Sequence, residues 1–283
     1  GIQPNIALQY NSSVREGMLG VGWSLELGSI QISTKRGLPR YDGTDKYMLV
    51  MPGGGTQDLV YDASAGFYRP EIEGSYMKIE KVGTGWQVTD PKGTKYYFGR
   101  QYQSQVVDAT DTRLIFGWYL DRVEDSSGNY LTVTYAKYHN ETLYPEKIEY
   151  TGNSQTGTLP FAQVVFERET RSDTIRSYKT GFVMDTGWRI NRIKTYVGTN
   201  LQAVYDLTYA QSPITQRLLL SQIKVSGSDG VSSLPPVKFT YQDSDMGFTL
   251  ASGWSIPSGP KFSQKEGTRW QDLGVRIVDI NTD

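Results

Sequence analysis

The chain has 283 residues, of which 37% are hydrophobic and 21% charged, so it is long and apolar enough to bury a sizeable core. It contains no cysteine and 1 histidine, which excludes disulfide scaffolds, thiol enzymes and histidine metal clusters. The formal net charge of -1 leaves no basic excess to neutralise phosphates. Nucleic acids and anionic membranes are therefore poor candidates as partners.

Glycine and tyrosine content indicates the fold class. The chain holds 30 glycines and 20 tyrosines, a composition that favours many short strands joined by tight turns. Apolar residues alternate with polar ones, whereas a helical period of about 3.6 residues is missing. We predict an all-β fold of antiparallel sheets built from successive hairpins, part of a shell or curved sandwich. The longest nearly apolar run, 114–120, is too short to span a membrane.

The rest of the chain is expected to be organised around its opening stretch, 1–32. A period-two pattern from Ile6 to Tyr10 predicts a half-buried strand, and a second strand follows a glycine-rich turn. Glycine allows such a turn to adopt positive φ or to approach another segment closely, and a buried tryptophan ring is predicted to clamp it. The residues assigned to this structural turn are Gly17, Gly20, Gly22 and Trp23.

These glycines are not expected to bind a nucleotide. Their spacing is GxxGxG and not GxGxxG. A strand pattern also follows them, where a phosphate site needs the N-terminus of a helix. A structural turn is therefore the better interpretation.

The opening motif also resembles a known family. The runs PNIALQYNSS and GMLGVGWSL, followed by a strand ending near Arg36, are similar to the start of the SpvB-type N-terminal domain. That domain is found at the head of toxin-complex B subunits and of related YD-repeat (RHS) virulence proteins. The similarity continues more loosely through Pro39–Leu49, Trp86–Gly99 and Leu120–Tyr135.

Hairpins follow one another along the chain. Strand patterns flank the turns at 52–56 and 90–93, and proline and glycine at these turns favour the required backbone angles. A weak internal repeat covers 120–135, 190–209 and 220–241, and each copy ends in a tyrosine. This pattern suits repeated hairpins added to one growing sheet, as in YD-repeat proteins, although any large antiparallel protein can produce it.

The resemblance implies a non-catalytic structural module of a secreted bacterial toxin or virulence protein. Such a module helps to form a β shell that encloses or presents a toxic effector polypeptide. The implied partners are the remainder of its own chain, an effector or C-type subunit, and a pore-forming A-type subunit. Two alternatives stay open: a carbohydrate-binding or cell-surface adhesion module that stacks sugars on exposed aromatic rings, and a glycosidase with a carboxylate pair in a cleft.

Residues capable of catalysis are few. His139, the one histidine, lies in a polar turn, and no GxSxG motif accompanies it. The Glu71-Ile72-Glu73 run has the ExE spacing of ADP-ribosyltransferases, an activity that SpvB itself has in a separate C-terminal domain. Acidic residues beside turns are expected to cap the backbone rather than to react. The carboxylates considered for hydrolysis are Asp42, Asp45, Asp108, Asp111, Glu71 and Glu73.

The last segment, 275–283, suggests a metal site. Asp279, Asn281 and Asp283 place oxygen ligands at alternate positions after an apolar strand, as in the first half of a calcium loop. This resembles the first turn of an FG-GAP repeat, so we predict an SpvB-type β domain over 1–270 and the start of a propeller-like repeat over 271–283. No cofactor is expected in this fragment, and calcium is expected only with downstream residues. An acidic tail after an edge strand is the alternative.

The beginning of the sequence carries no targeting signal that can be identified. Its first residue is glycine, and no cationic segment precedes an apolar run. We therefore expect the chain to begin inside a longer one.

Overall fold

A computed structural model describes residues 1–13, 16–72, 74–138, 140–241, 263–266 and 269–272. The chain divides into two compact units, Gly1–Gln242 and Asp243–Asp283. The domain boundary predicted at residue 270 stays a prediction. The strands, in chain order, are β1 (Leu8–Tyr10), β2 (Trp23–Leu25), β3 (Ser29–Ile32), β4 (Tyr47–Val50), β5 (Thr56–Asp62), β6 (Phe67–Pro70), β7 (Lys78–Val82), β8 (Gly85–Thr89), β9 (Lys95–Phe98), β10 (Gln105–Val107), β11 (Ile115–Glu124), β12 (Asn129–Tyr138), β13 (Thr142–Asn153), β14 (Ala162–Ser177), β15 (Met184–Val197), β16 (Asn200–Gln211), β17 (Leu218–Ser226), β18 (Val237–Lys238), β19 (Ser263–Glu266) and β20 (Arg269–Asp272).

The all-β prediction is confirmed. Every strand pairing is antiparallel, and the described residues contain one short 3-10 helix, Tyr102–Ser104, and no α-helix. The two hairpins predicted around residues 52–56 and 90–93 are β4–β5 and β8–β9. Each copy of the weak repeat also corresponds to one hairpin, formed by β11–β12, β15–β16 and β17–β18.

Strand β11 joins a closed sheet to an open one. Strands β3 to β9 pair one after the other, and both β3 and β9 pair with β11, so these strands form a closed ring. The second half of β11 pairs with β12, from which the open sheet continues in order to β18. Because antiparallel neighbours need only short turns, local hairpins are enough to build both sheets.

The interior of the closed sheet is apolar and aromatic. Alternate positions along each strand point inward, as the period of two requires. The most deeply buried side chains of these strands are Ile30, Leu49, Ile79, Trp86, Val88 and Phe98. A cavity of about 270 Å³ lies beside this core, where residues 2–5 meet apolar side chains of β11, β12 and β13.

The tip of the β14–β15 hairpin contacts the loop after β3. The hydroxyl of Tyr41 donates to the carbonyl of Thr180 at 2.5 Å, and the Tyr41 ring stacks on Phe182 with centroids 6.3 Å apart. Burial raises the pKa of the Tyr41 hydroxyl, so it stays protonated as a donor. The open sheet and the closed sheet therefore touch at a second place, distant in sequence from β11.

The N-terminal stretch crosses the open sheet. Strands β1 and β2 pair with each other, and the turn between them lies against two distant strands. The backbone N–H of Val21 donates to the carbonyl of Leu218 in β17 at 2.9 Å, and that of Ile190 in β15 donates to the carbonyl of Met18 at 3.2 Å. The opening stretch thus contacts strands that follow it by more than 150 residues.

Candidate functional site

The aspartates considered for hydrolysis cap turns. Asp42 and Asp108 each accept a hydrogen bond from the backbone N–H two residues later, at 3.0 and 2.7 Å. Asp45 accepts two backbone N–H groups of the preceding loop, at 2.9 and 2.7 Å. Asp111 pairs with the exposed guanidinium of Arg113 at 2.7 Å. These oxygens are engaged in local structure, as expected for acidic residues at turns.

The remaining candidates for catalysis do not assemble a site among the described residues. Glu71 lies on the rim of a surface groove of about 400 Å³, near the ion pair of Lys35 with Asp58. Glu73 and His139 lie outside the described residues. The apolar cavity beside residues 2–5 has no charged side chain on its described walls, so it offers no carboxylate pair.

Close backbone approach explains two glycines of the N-terminal turn. Gly20 has a φ of +88°, and a Cβ there would lie 2.6 Å from the carbonyl oxygen of Leu218. Gly22 has a φ of +78°, and a Cβ there would lie 2.5 Å from the ring of Tyr10. Gly17 closes the turn through a hydrogen bond with Gly20 at 3.0 Å. A side chain at position 20 or 22 would separate the turn from its neighbours.

Trp23 lies between the two ends of the first compact unit. Its side chain is 8% exposed, and its ring centroid lies 4.7 Å from that of Phe239 and 5.4 Å from that of Tyr10. The indole Nε1–H donates to the hydroxyl of Tyr241 at 2.9 Å. That Trp23 fixes the geometry of the turn stays a prediction.

Arg171 also stabilises this turn, although nothing in the sequence pattern identifies it. Its fully buried guanidinium donates to the carbonyl of Gly17 at 2.8 Å and to the carboxylate of Glu16 at 2.6 Å. Two further bonds, at 2.8 and 2.9 Å, hold Asp173 in a bidentate pair. Arg171 lies where the pairing of β14 with β15 is interrupted, which lets its side chain leave the sheet. No local pattern marks such a residue.

Charges around Arg171 shift two carboxyl groups in opposite directions. Burial raises the pKa of Glu16, and its hydrogen bond with Asp173 raises it further, against the opposing charges of Arg171 and Arg217. Burial also acts to raise the pKa of Asp173, but hydrogen bonds from Arg171 and Glu16 outweigh it and hold that pKa at about 2. Asp173 therefore keeps its negative charge to a lower pH than Glu16 does.

The lowered pKa of Asp173 predicts a loss of stability in acid. Its stabilising contribution is complete above its unfolded pKa of about 3.9 and disappears as the pH falls towards about 2. Glu16 acts in the opposite sense. Burial disfavours its charged form, so its protonation increases stability as the pH falls through its raised pKa. Other aspartates, such as Asp111 and Asp125, also have lowered pKa values, so only a comparison with a variant at position 173 separates the contribution of Asp173.

Urea denaturation between about pH 4 and about pH 2 compares the chain with Asp173→Asn. We expect the free energy of unfolding to fall less steeply with acid in the variant than in the original chain, since asparagine does not titrate. Parallel profiles for the two proteins would contradict the assignment.

The three repeated hairpins share a tyrosine hydrogen bond. The hydroxyl of the tyrosine that ends each copy donates to the backbone carbonyl of the first residue of the same copy. The pairs are Tyr135 with Leu120 at 2.8 Å, Tyr209 with Ile190 at 2.5 Å, and Tyr241 with Leu220 at 2.6 Å. Burial raises the pKa of all three hydroxyls, which keeps them protonated as donors. We call this contact the tyrosine lock.

Removing one lock is expected to have a moderate effect. Tyr135→Phe keeps the ring but leaves the buried carbonyl of Leu120 without its donor, which should lower the free energy of unfolding by about 1–3 kcal/mol. Thermal and urea unfolding measure the change. The control is Tyr178→Phe at a 60% exposed position, which should change stability by less than about 0.5 kcal/mol. Equal effects for the two variants would refute the lock.

The predicted calcium ligands Asp279, Asn281 and Asp283 lie outside the described residues. Among the residues that the structure describes, no group of three acidic or histidine side chains is arranged to hold a metal. The calcium loop stays a prediction, because calcium takes about six to eight oxygens and these three side chains supply only a few.

Extension of the chain tests the calcium loop. We expect the 283-residue chain to bind calcium weakly or not at all, and a chain extended by about ten residues to bind it measurably. Calorimetric titration should show that Asp279→Ala abolishes the calcium heat of the extended chain, whereas Asp229→Ala, in a turn of the first unit, leaves it unchanged. If calcium gives no heat with the extended chain, the segment 275–283 is an acidic turn and not a calcium loop.

The described part of the chain has no helix of the length and apolar character needed to cross a bilayer.

The closed ring, the open sheet and the hairpins with tyrosine locks define a modular antiparallel β protein. Comparison with known proteins identifies its family. The family model described as "Salmonella virulence plasmid 65kDa B protein" (SpvB) matches residues 1–165, more than half of the 283 residues. The chain belongs to the SpvB family. The resemblance identified from the opening motif is thus confirmed, and the chain is related to bacterial toxin and virulence proteins.

Curated relatives are considerably longer than the matched part. The mono(ADP-ribosyl)transferase SpvB of Salmonella choleraesuis strain SC-B67 is 24% identical over an alignment of 164 residues, and the match covers 48% of this chain and 27% of that protein. The SpvB protein of Salmonella enteritidis matches to the same extent. The chain therefore spans about a quarter of the length of these relatives.

Solved structures share the fold. The N-terminal domain of effector protein SpvB from Salmonella typhimurium strain LT2 has a TM-score of 0.69 and 18% identity, covering 80% of this chain and 95% of that domain. The Tc holotoxin pore of Photorhabdus luminescens has a TM-score of 0.74 and 20% identity, covering 85% of this chain and 15% of that one. The TcdB2-TccC3 complex has a TM-score of 0.72, 20% identity and coverages of 86% and 16%.

Proposed function

We propose that the chain is a non-catalytic structural module of a secreted bacterial toxin or virulence protein. The module helps to form a β shell that encloses or presents a toxic effector polypeptide. The observation that carries this proposal is the tyrosine lock, which recurs at 2.5–2.8 Å in three hairpins of one sheet. A hairpin that carries its own lock can be added repeatedly, so a longer chain can extend the sheet into a wall.

Family membership supports the same proposal. The fold fills nearly all of the SpvB N-terminal domain but only 15% of the matched chain in the Tc holotoxin pore. A module of this size contributes one part of a larger assembly. We propose that its partners are the remainder of its own chain, an effector or C-type subunit, and a pore-forming A-type subunit.

The contacts of one half-exposed aromatic pair favour this role over sugar binding at that place. Sugar recognition needs a free aromatic face, and the half-exposed Tyr138 lies beside Trp188 with ring centroids 5.3 Å apart. The guanidinium of Arg168 lies over the Tyr138 ring at 5.3 Å. Because a cation and a second ring already cover this platform, stacking of a sugar there would have to displace them.

Protease protection tests the proposal. We expect the effector polypeptide to survive protease when it is assembled with the full-length protein, and to be degraded when it is produced alone. A matched sample, in which the assembly is first unfolded in urea, should lose the protection. Degradation at the same rate with and without the full-length protein would refute an enclosing role.

A further inference from the structure

One end of the closed sheet holds a cluster of aromatic rings. Tyr47, Tyr68, Trp86 and Trp118 come from four different strands or their ends, and their ring centroids lie 4.9–5.9 Å apart in edge-to-face contacts. Three of these side chains are buried, and Tyr68 is half-buried. In these edge-to-face contacts the positive edge of one ring lies against the negative face of the next. We call this cluster the aromatic mouth.

The aromatic mouth holds a cation from its own chain. The Nζ of Lys81 lies 4.4 Å from the ring centroid of Tyr47, 5.0 Å from that of Trp86 and 5.9 Å from that of Tyr68. It also donates to the Tyr47 hydroxyl at 2.9 Å. No carboxylate of the described chain lies within 4.0 Å of this ammonium group. Its stabilising partners are the rings and the hydroxyl.

A neighbouring lysine shows the ordinary alternative. Lys78, on the same strand, pairs with the carboxylate of Glu80 at 2.8 Å and lies 5.7 Å from a single ring, that of Phe67. Lys81 contacts three rings and forms no ion pair with any described residue. The three-ring contact is therefore a property of the mouth and not of the strand as a whole.

Hydrogen bonds beneath the mouth hold its rings in place. The indole Nε1–H of Trp118 donates to the carbonyl of Thr84 at 2.7 Å, which fixes the turn between β7 and β8. The side-chain amide of Gln105 donates to the Thr84 hydroxyl at 3.3 Å and to the carbonyl of Gly99 at 2.7 Å. A site whose rings are already ordered loses little conformational freedom when a cation enters.

We propose that the aromatic mouth is a recognition site for an organic ammonium cation, with Lys81 as its tethered occupant. Lys81 is exposed, and no ion pair within the described residues retains it, so an incoming cation can take its place while the lysine moves into water. Quaternary ammonium groups and lysine side chains share the required chemistry. The site is separate from the tyrosine locks and does not depend on the shell function.

Removal of the tethered cation tests the site. Tetramethylammonium chloride is titrated into the unchanged chain, into Lys81→Ala and into the control Lys78→Ala, and tryptophan fluorescence reports binding. Sodium chloride at matched ionic strength is the reference. We expect Lys81→Ala to bind at least about tenfold more tightly than the unchanged chain, because the intramolecular competitor is gone. Lys78→Ala should behave like the unchanged chain, and Lys81→Arg should keep the site occupied.

Two further measurements complete the test. N-acetyl-lysine methylamide replaces tetramethylammonium in a second titration: binding of both indicates that the mouth also accepts a polypeptide lysine, whereas binding of tetramethylammonium alone indicates a small quaternary ligand. Tyr68→Leu in the Lys81→Ala protein should remove the binding while circular dichroism confirms folding. Absence of saturable binding to Lys81→Ala, or equal binding by Lys78→Ala, would overturn the proposal.

Discussion

Replacement of Arg171 with methionine is expected to lower the free energy of unfolding by about 3–5 kcal/mol. The fully buried guanidinium is the shared partner of the Glu16 and Asp173 carboxyl groups and of the Gly17 carbonyl. Methionine has a similar length but no charge or donors, so the loss reflects uncompensated carboxylates and an unpaired carbonyl more than lost volume. Urea denaturation at neutral pH measures the change.

Two comparisons show whether the charge is responsible. Arg113→Met removes an arginine whose side chain is 88% exposed, so it should change stability by less than about 0.5 kcal/mol. The triple variant Arg171→Met, Glu16→Gln, Asp173→Asn removes the stranded carboxylates as well and should recover part of the loss. If the loss of stability of the triple variant equals the sum of the losses of the three single variants, the three residues do not act together.

The hairpins of this fold are evident from the sequence because their causes are local. The turn at 90–93 contains a proline that presets φ and Gly93, which adopts a φ of +84°, and the strands on both sides alternate in polarity. The three repeat copies were visible in the same way. The pattern did not show that Tyr135, Tyr209 and Tyr241 donate to a carbonyl of their own copy, because a terminal tyrosine fits a strand with or without that bond.

The contacts that assemble the hairpins are not local. Arg171 lies 155 residues from Glu16, and Gly20 approaches Leu218, so neither partner can be read from spacing. The closure of the first sheet depends on β9 and β3 meeting the same strand, β11, which alternation alone does not specify. The sequence therefore predicts the hairpins and the glycine-rich turn. Which distant residues the turn contacts depends on tertiary packing, which the sequence pattern does not show.

Trp23→Ala is expected to be about as damaging as Arg171→Met. Truncation of a buried tryptophan typically costs about 3–5 kcal/mol, through lost transfer energy and the cavity left behind. Here the ring packs on Phe239 and Tyr10, and its indole N–H donates to the same Tyr241 hydroxyl that bonds the carbonyl of Leu220. The substitution should therefore loosen the third tyrosine lock as well as the N-terminal turn.

Two controls separate these contributions. Tyr178→Ala truncates an aromatic side chain that is 60% exposed, and we expect its melting temperature to stay close to that of the unchanged chain. Trp23→Phe retains most of the apolar packing but loses the indole donor, so it should fall between the unchanged chain and Trp23→Ala. An unchanged melting temperature for Trp23→Ala would mean that the ring contributes little to the fold. The turn would then be held by Arg171 and the backbone contacts with Leu218 and Ile190 alone.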